Sequence, residues 1–278
     1  MTVLVTGSRG RVGSLLVRTL HERGVPVRAG SAAPEKLTLP EGVPSVRLAL
    51  DDPATFPAAL DGVTSVFLYA DPSHIDAFVA QAVTAGVEHV AVMSADAVLR
   101  PGADSDPIAA PHLAVERSLA ASSLTHTSLN CGALASNAGS WAYTLKARGA
   151  VTHPYPDSFA DPINERDIAE CAYAVLTRPE LRGRSYHLTG PASLSFREQA
   201  AVIAEATGRE IPMERIAPEV WRANKPGFMP DDIADALLRM WAASTAPVPL
   251  SQDVEALTGR PPRPFADWAR EHAARFAA

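Results

Sequence analysis

The sequence has little of what would tie it to a metal, a disulfide scaffold, a membrane or a nucleic acid. Its two cysteines, Cys131 and Cys171, are too few for a disulfide framework or a cysteine-based zinc cluster, which need several thiols at short spacing. They read as reduced thiols. The eight histidines are scattered singly, with no H-E-x-x-H and no tight carboxylate cluster, so no metal is expected. There is no G-x-S-x-G elbow for a hydrolase. Lys and Arg number 25 against 31 Asp and Glu, and a net charge of −6 lacks the basic face that a phosphate backbone demands. The longest apolar runs, such as Val63 to Ala70, fall well short of the ~20 residues that span a bilayer. The opening MTVLVTG lacks the charged region and long apolar stretch of a secretory signal. A cytoplasmic protein is expected, with neither nucleic acid nor membrane as partner, as a monomer or homodimer.

What is present is globular: 278 residues, 47% hydrophobic and 20% charged, enough for one large domain or one domain carrying a lobe. The first 130 residues alternate short apolar runs with helix-period segments, as βαβ units do when they lay down a parallel sheet. Strands are expected at Val3–Val5, Val25–Ala29, Val46–Leu50, Val63–Tyr69, Val87–Met93 and Leu124–Leu129, with Tyr186–Leu188 returning late to the same sheet. Helices are expected over Ser14–Arg23, Ala54–Leu60, Ile75–Ala85, His112–Ser122 and from Asp167 to Leu176. Residues 97–111, rich in Pro, Ala and Asp, read as a surface loop.

The most informative stretch is Thr6-Gly7-Ser8-Arg9-Gly10-Arg11-Val12-Gly13, set between the first strand and the first helix. Gly7 permits a tight turn, Gly10 lets backbone approach a diphosphate, and Gly13 lets helix and strand pack closely. The helix start then offers free amides and a positive dipole end to phosphates. The spacing therefore predicts a dinucleotide-binding, Rossmann-type doubly wound parallel α/β sheet. An NAD-binding chain usually ends its second strand with a carboxylate against the ribose 2′-hydroxyl. Here that place reads Arg28-Ala29-Gly30-Ser31, so a 2′-phosphate meets no repulsion, and Arg9 and Ser31 can donate to it. NADP(H) is expected rather than NAD(H).

TGSRGRVG, DDPATFPAALDGVTSVFLYA, HLAVERSLAASSLTHTSLNCGALASN and the terminal LTGRPPRPFADWAREHAARF together resemble the NmrA-like branch of atypical short-chain dehydrogenases/reductases. That resemblance implies an NADP(H)-binding domain over 1–132, its sheet completed by about 163–190. It also implies a smaller substrate lobe from 133–162 and 191–278, with a substrate cleft between the two. It places Leu50 by the adenine, Tyr69 and Ala70 along the adenosine, Met93 and Ser94 near the nicotinamide ribose, and the backbone at Cys131-Gly132 near the nicotinamide. Two departures stand out: the family's acid falls at Ala49 and its basic residue near Ala32.

Typical members of the superfamily carry a Tyr-x-x-x-Lys pair on the helix after strand five, whose Tyr donates a proton to the carbonyl oxygen. Aligned on the VE of HLAVERSL, those positions here are Ile108 and His112. Ile cannot transfer a proton. His112 either acts as an acid or ribose contact or simply begins its helix beside Pro111; Ser94 either orients a substrate oxygen or ends its strand. Trp221, Phe228, Met229, Met240 and Trp241 either wall a pocket for a flat ligand or form ordinary core. The expected activity is an NADPH-dependent reductase of an apolar conjugated acceptor, such as a quinone, an enone or a polycyclic aromatic compound. Delocalised charge in such acceptors lessens the need for a strong protein acid. The alternatives are a non-catalytic sensor of the NADP(H) redox state, or a non-redox enzyme that retains the cofactor.

Overall fold

The computed structural model describes residues 1–277. Its strands are β1 (Val3–Val5), β2 (Val27–Ser31), β3 (Ser45–Arg47), β4 (Ser65–Tyr69), β5 (His89–Ala95), β6 (Thr125–Cys131), β7 (Val151–His153), β8 (Phe159–Ala160), β9 (Ser185–Leu188), β10 (Leu194–Ser195) and β11 (Met213–Arg215). The α-helices are α1 (Arg11–Glu22), α2 (Phe56–Leu60), α3 (Ile75–Thr84), α4 (Ala109–Ala120), α5 (Trp141–Arg148), α6 (Glu165–Thr177), α7 (Phe196–Thr207), α8 (Pro218–Ala223), α9 (Asp231–Ala243), α10 (Asp253–Thr258) and α11 (Phe265–Glu271).

The chain forms two compact units. The first comprises 1–131, 165–188 and 253–260. Seven strands run in the order β3-β2-β1-β4-β5-β6-β9, every neighbouring pair parallel. Helices cover both faces, and β1 is apolar throughout: Val3, Leu4 and Val5 have no exposed surface. On one face Leu4, Val66, Leu68, Val90 and Val92 pack with Phe56, Phe78, Val115 and Leu119. Phe56 meets Phe78 edge to face at 5.3 Å. On the other face α1 buries Val12, Gly13, Leu16, Val17 and Leu20 and packs beside α6. The strand order reverses beside β1, whose neighbours are β2 and β4. In open parallel sheets the crevice beyond the carboxyl ends at such a reversal is where ligands bind.

Several boundaries differ from the sequence expectation. α1 starts at Arg11 rather than Ser14, because Gly10 already takes the cap position although the apolar pattern begins later. β2 runs on to Ser31, and β3 ends at Arg47 instead of Leu50. The 97–111 stretch is not a plain loop: it contains 3₁₀ turns at Asp96–Leu99 and Ala103–Ser105, pinned by a small cluster of buried Ala97, Ala103 and Ala109. α4 begins at Ala109, not His112. Pro111 falls in its first turn, where no amide is needed, and Asp106 Oδ1 accepts from the Ile108 amide at 2.8 Å. Asp167 lies inside the first turn of α6, which opens at Glu165.

The second unit comprises 132–164, 189–252 and the described residues from 261 on. β7 pairs parallel with β11 and β8 antiparallel with β10. Its core gathers Trp141, Val151, Ile203, Ile211, Phe265, Trp268 and Phe276. Ser195 caps α7 through a reciprocal bond pair with Glu198. The sequence reading placed all of 191–278 in the lobe, whereas 253–260 return to the first unit. There the Asp253 carboxylate accepts from the His187 amide at 2.8 Å on the outer strand β9.

Candidate active site

β1 ends in a turn whose geometry only glycine permits. Gly7 has φ +60°, and a Cβ there would meet the Tyr69 ring at 2.8 Å. A Cβ on Gly13 would lie 2.5 Å from the Gly7 carbonyl oxygen, and one on Gly10 would lie 3.1 Å from the same atom. The turn is held from behind. Ser8 donates its amide to Gly30 at 3.1 Å and its hydroxyl to Val5 at 2.8 Å, and the Tyr69 amide donates to Thr6 Oγ1 at 3.0 Å. Ser8 therefore shapes the turn with both of its donors. In front, the start of α1 has no side-chain cap and no acid in its first turn, so its positive end faces out. This is a cradle for a diphosphate: close backbone, outward amides and no competing carboxylate.

Around the cradle the candidate residues divide. Arg9 is exposed and has no partner among the described residues, whereas Arg11 already has one. Val12 is buried against the sheet. Ser31, buried at the end of β2, accepts from the Ala33 amide at 3.2 Å. Arg28 is committed elsewhere, donating to the carbonyls of Ala59 and Asp61 at 2.9 and 2.7 Å. Leu50 is buried in the apolar core, so the exposed side chain beyond β3 is Asp51. Burial raises the Tyr69 phenol pKa, with Asp71 and Asp51 adding to the shift, so both carboxylates stand near that ring. Ala70 is half-buried beside it. Sequence reasoning missed Asp51, although Asp51-Asp52 directly after a strand was visible.

At the other end, Met93 is half-buried and Ser94 is buried at the end of β5, its Oγ without a partner. His112 lies on α4, and its Nδ1 is likewise buried without a partner. Burial lowers the His112 pKa and so favours the neutral imidazole. α4 holds neither Tyr nor Lys, and Ile108 sits at its cap. Cys131 is buried at the end of β6. Gly132 opens the second unit, where a Cβ would strike the Asp161 carboxylate. In that unit Trp241 packs against His153, Trp221 and Phe196 at centroid distances of 4.6, 4.9 and 5.8 Å. Of these rings His153 is buried and Phe196 packs on the core, while Trp221 and Trp241 are half-buried. Phe228 is 88% exposed. Among the described residues no cluster of His, Cys, Asp and Glu could hold a metal, and no helix is long and apolar enough to cross a membrane.

A model of an NAD(P)H-binding family matches residues 7–179, from the glycine turn to the end of α6 and just beyond. The chain belongs to this NAD(P)H-binding family. It is 35% identical to a (4-alkanoyl-5-oxo-2,5-dihydrofuran-3-yl)methyl phosphate reductase of Streptomyces griseus, covering 99% of both chains. It is 32% identical to an NAD(P)H azoreductase of Xenophilus azovorans, again over 99% of both. The fold matches an NADPH-dependent quinone oxidoreductase of Escherichia coli with a TM-score of 0.80, 22% identity, and 97% and 98% of the two chains covered. Both of these curated relatives are reductases by name, in line with the oxidoreductase that the sequence resemblance implied.

Proposed function

We propose that the chain is an NADPH-preferring reductase of a small, apolar or aromatic acceptor in which a C=C or quinone system is conjugated with a carbonyl. When bound, the cofactor supplies a hydride equivalent. The amides at the start of α1, with Gly7, Gly10 and Gly13 clearing their path, hold the diphosphate. Arg9 and Ser31 take the 2′-phosphate, the choice that favours NADPH over NADH. Tyr69, Ala70 and the backbone at Leu50 line the adenosine, with Asp51 supplying the carboxylate that Ala49 lacks. Met93, Ser94 and the backbone at Cys131-Gly132 border the nicotinamide end, and His112 on α4 is a neutral hydrogen-bonding group.

The observation that supports this acceptor class is that α4 carries neither Tyr nor Lys and has Ile108 at its cap. A saturated ketone leaves a localised alkoxide that needs a strong acid. A conjugated acceptor spreads the charge over several atoms, and a hydroxyl or water suffices. The relative at 35% identity acts, by its name, on a dihydrofuranone bearing an alkanoyl group, a C=C conjugated with carbonyls. The test follows NADPH absorbance with a 3-acyl-2,5-dihydrofuran-2-one, menadione and cyclohexanone. The first two should turn over and the saturated ketone should not. Comparable turnover of cyclohexanone would overturn the acceptor class, and binding of NADPH with no turnover at all would identify a sensor.

A further inference from the structure

Five buried side-chain atoms without a hydrogen-bond partner among the described residues lie in one region of the first unit: Ser94 Oγ, Asn130 Oδ1, His187 Nε2, His112 Nδ1 and Glu116 Oε1. Buried polar atoms are rarely left unpaired, and a group of them marks ordered water or a ligand. Three form a row. Ser94 on β5 is the register partner of Asn130 on β6, and Asn130 is the register partner of His187 on β9. Register partners in a parallel sheet point to the same face, so the three side chains stand side by side. Ser94 and Asn130 have almost no exposed surface.

The other two atoms come from the helix above. α4 packs on β5 and β6. Ser118 on α4 donates to Asp76 of α3 at 2.6 Å, while Val115 and Leu119 enter the core. Helical spacing puts His112 and Glu116 on the flank opposite Ser118, away from α3 and toward β6 and β9. Neighbouring strands lie about 4.8 Å apart, too far for a direct bond between side chains standing straight up, but the right gap for one bridging water. Asn130 Nδ2 is already used, donating to Ser185 Oγ at 3.0 Å. Its carbonyl Oδ1 keeps two lone pairs and can accept from a water on each side.

Resting on the reductase reading above, we propose that Ser94, Asn130 and His187 line a buried water wire that supplies the acceptor's proton through the Ser94 hydroxyl, with Asn130 and His187 as positioning residues. The reaction is NADPH + H⁺ + acceptor → NADP⁺ + reduced acceptor. As the acceptor gains negative charge, the Ser94 O–H gives it a proton. Ser94 recovers one from the water it shares with Asn130, and that water from a second water hydrogen-bonded to it directly and held beside His187, since Asn130 Oδ1 only accepts from the waters and relays nothing; solvent then replaces the second water. One proton is consumed per turnover, and Asn130 and His187 end unchanged.

Crystals of the protein grown with NADP⁺ should show waters bridging Ser94 Oγ to Asn130 Oδ1 and Asn130 Oδ1 to His187 Nε2. A dry cluster, with these atoms bonded only to protein, overturns the proposal whatever the activity. Kinetics give the second arm, with Asn130→Leu, His187→Leu and the conservative His187→Gln. With menadione, both leucine variants should lose kcat by about 10-fold or more and show a larger solvent deuterium isotope effect, and His187→Gln should recover most of the rate. The NADPH dissociation constant should hold. A triarylmethyl cation dye accepts a hydride equivalent and needs no proton, so its reduction should suffer far less than that of menadione. Equal loss with both acceptors, or no loss with menadione, overturns the wire and leaves the reductase reading standing. Failure of the parent protein to bind NADPH would instead remove the reductase reading itself.

Discussion

The two ends of the candidate site are built on opposite plans. At the glycine turn the protein satisfies its own polar groups: Ser8, Thr6 and Ser31 are bonded inward, and what is offered outward is backbone amide and dipole. At the ends of β5, β6 and β9 the side chains are the offering: Ser94 and Asn130 are buried and His187 half-buried, each with a buried polar atom unsatisfied. A diphosphate is the same in every dinucleotide, so a fixed backbone shape serves it. An acceptor and its proton need groups that can exchange hydrogen bonds during turnover, and such groups must be left uncommitted in the folded protein.

The sharpest way to break this comparison is to fill the cradle. Gly13→Val places side-chain atoms where a Cβ alone would lie 2.5 Å from the Gly7 carbonyl oxygen. The helix must shift, at a cost of about 1–3 kcal/mol in thermal or chemical unfolding, and reduction of every acceptor should vanish. Gly10→Ala, with its milder 3.1 Å approach, should lose less. Retained turnover in Gly13→Val would show that the diphosphate is not held there.

Acid tests both units at once, because each buries a neutral histidine. His89 in the first is lowered from 6.5 to about 3 and His153 in the second to about 4, burial being the main cause of each. The unfolded chain binds protons at these sites before the folded one does. Stability should be full above pH 6.5 and fall as pH drops toward 4, by about 1.4 kcal/mol per pH unit for each group. Denaturant midpoints against pH check this, and His153→Phe should flatten the slope. An unchanged slope would contradict the assignment.

A smaller effect is expected at Arg9. Arg9→Ala should weaken NADPH by about 10-fold, one or two charge-assisted bonds, and leave NADH nearly untouched. Equal weakening of both would place Arg9 on the diphosphate instead. The smallest is Phe228→Ser, within about 0.5 kcal/mol in stability and neutral in acceptor KM, since the ring is 88% exposed. A raised KM would return Phe228 to the acceptor's surroundings.

The same contrast governs what could be read in advance. The cradle is written in eight consecutive residues, because glycine spacing encodes backbone geometry directly, and the sheet followed from its apolar runs. Asn130 and His187 come from strands distant in the chain, and only the register that sets them beside Ser94 gives them meaning. Asp51 directly follows the strand expected at Val46–Leu50, and only the burial of Leu50 in the core singles it out as the exposed side chain there. α10 was misassigned because a short helix after a proline-rich stretch carries no sign of which unit it joins.

The most direct measurement is a calorimetric titration of the parent protein and Gly13→Val with NADPH, run in parallel. One site per chain with clear heat in the parent and none in the folded variant is the expected result. No heat in the parent, or the same heat in both, would contradict the claim that the amides of this turn hold the coenzyme.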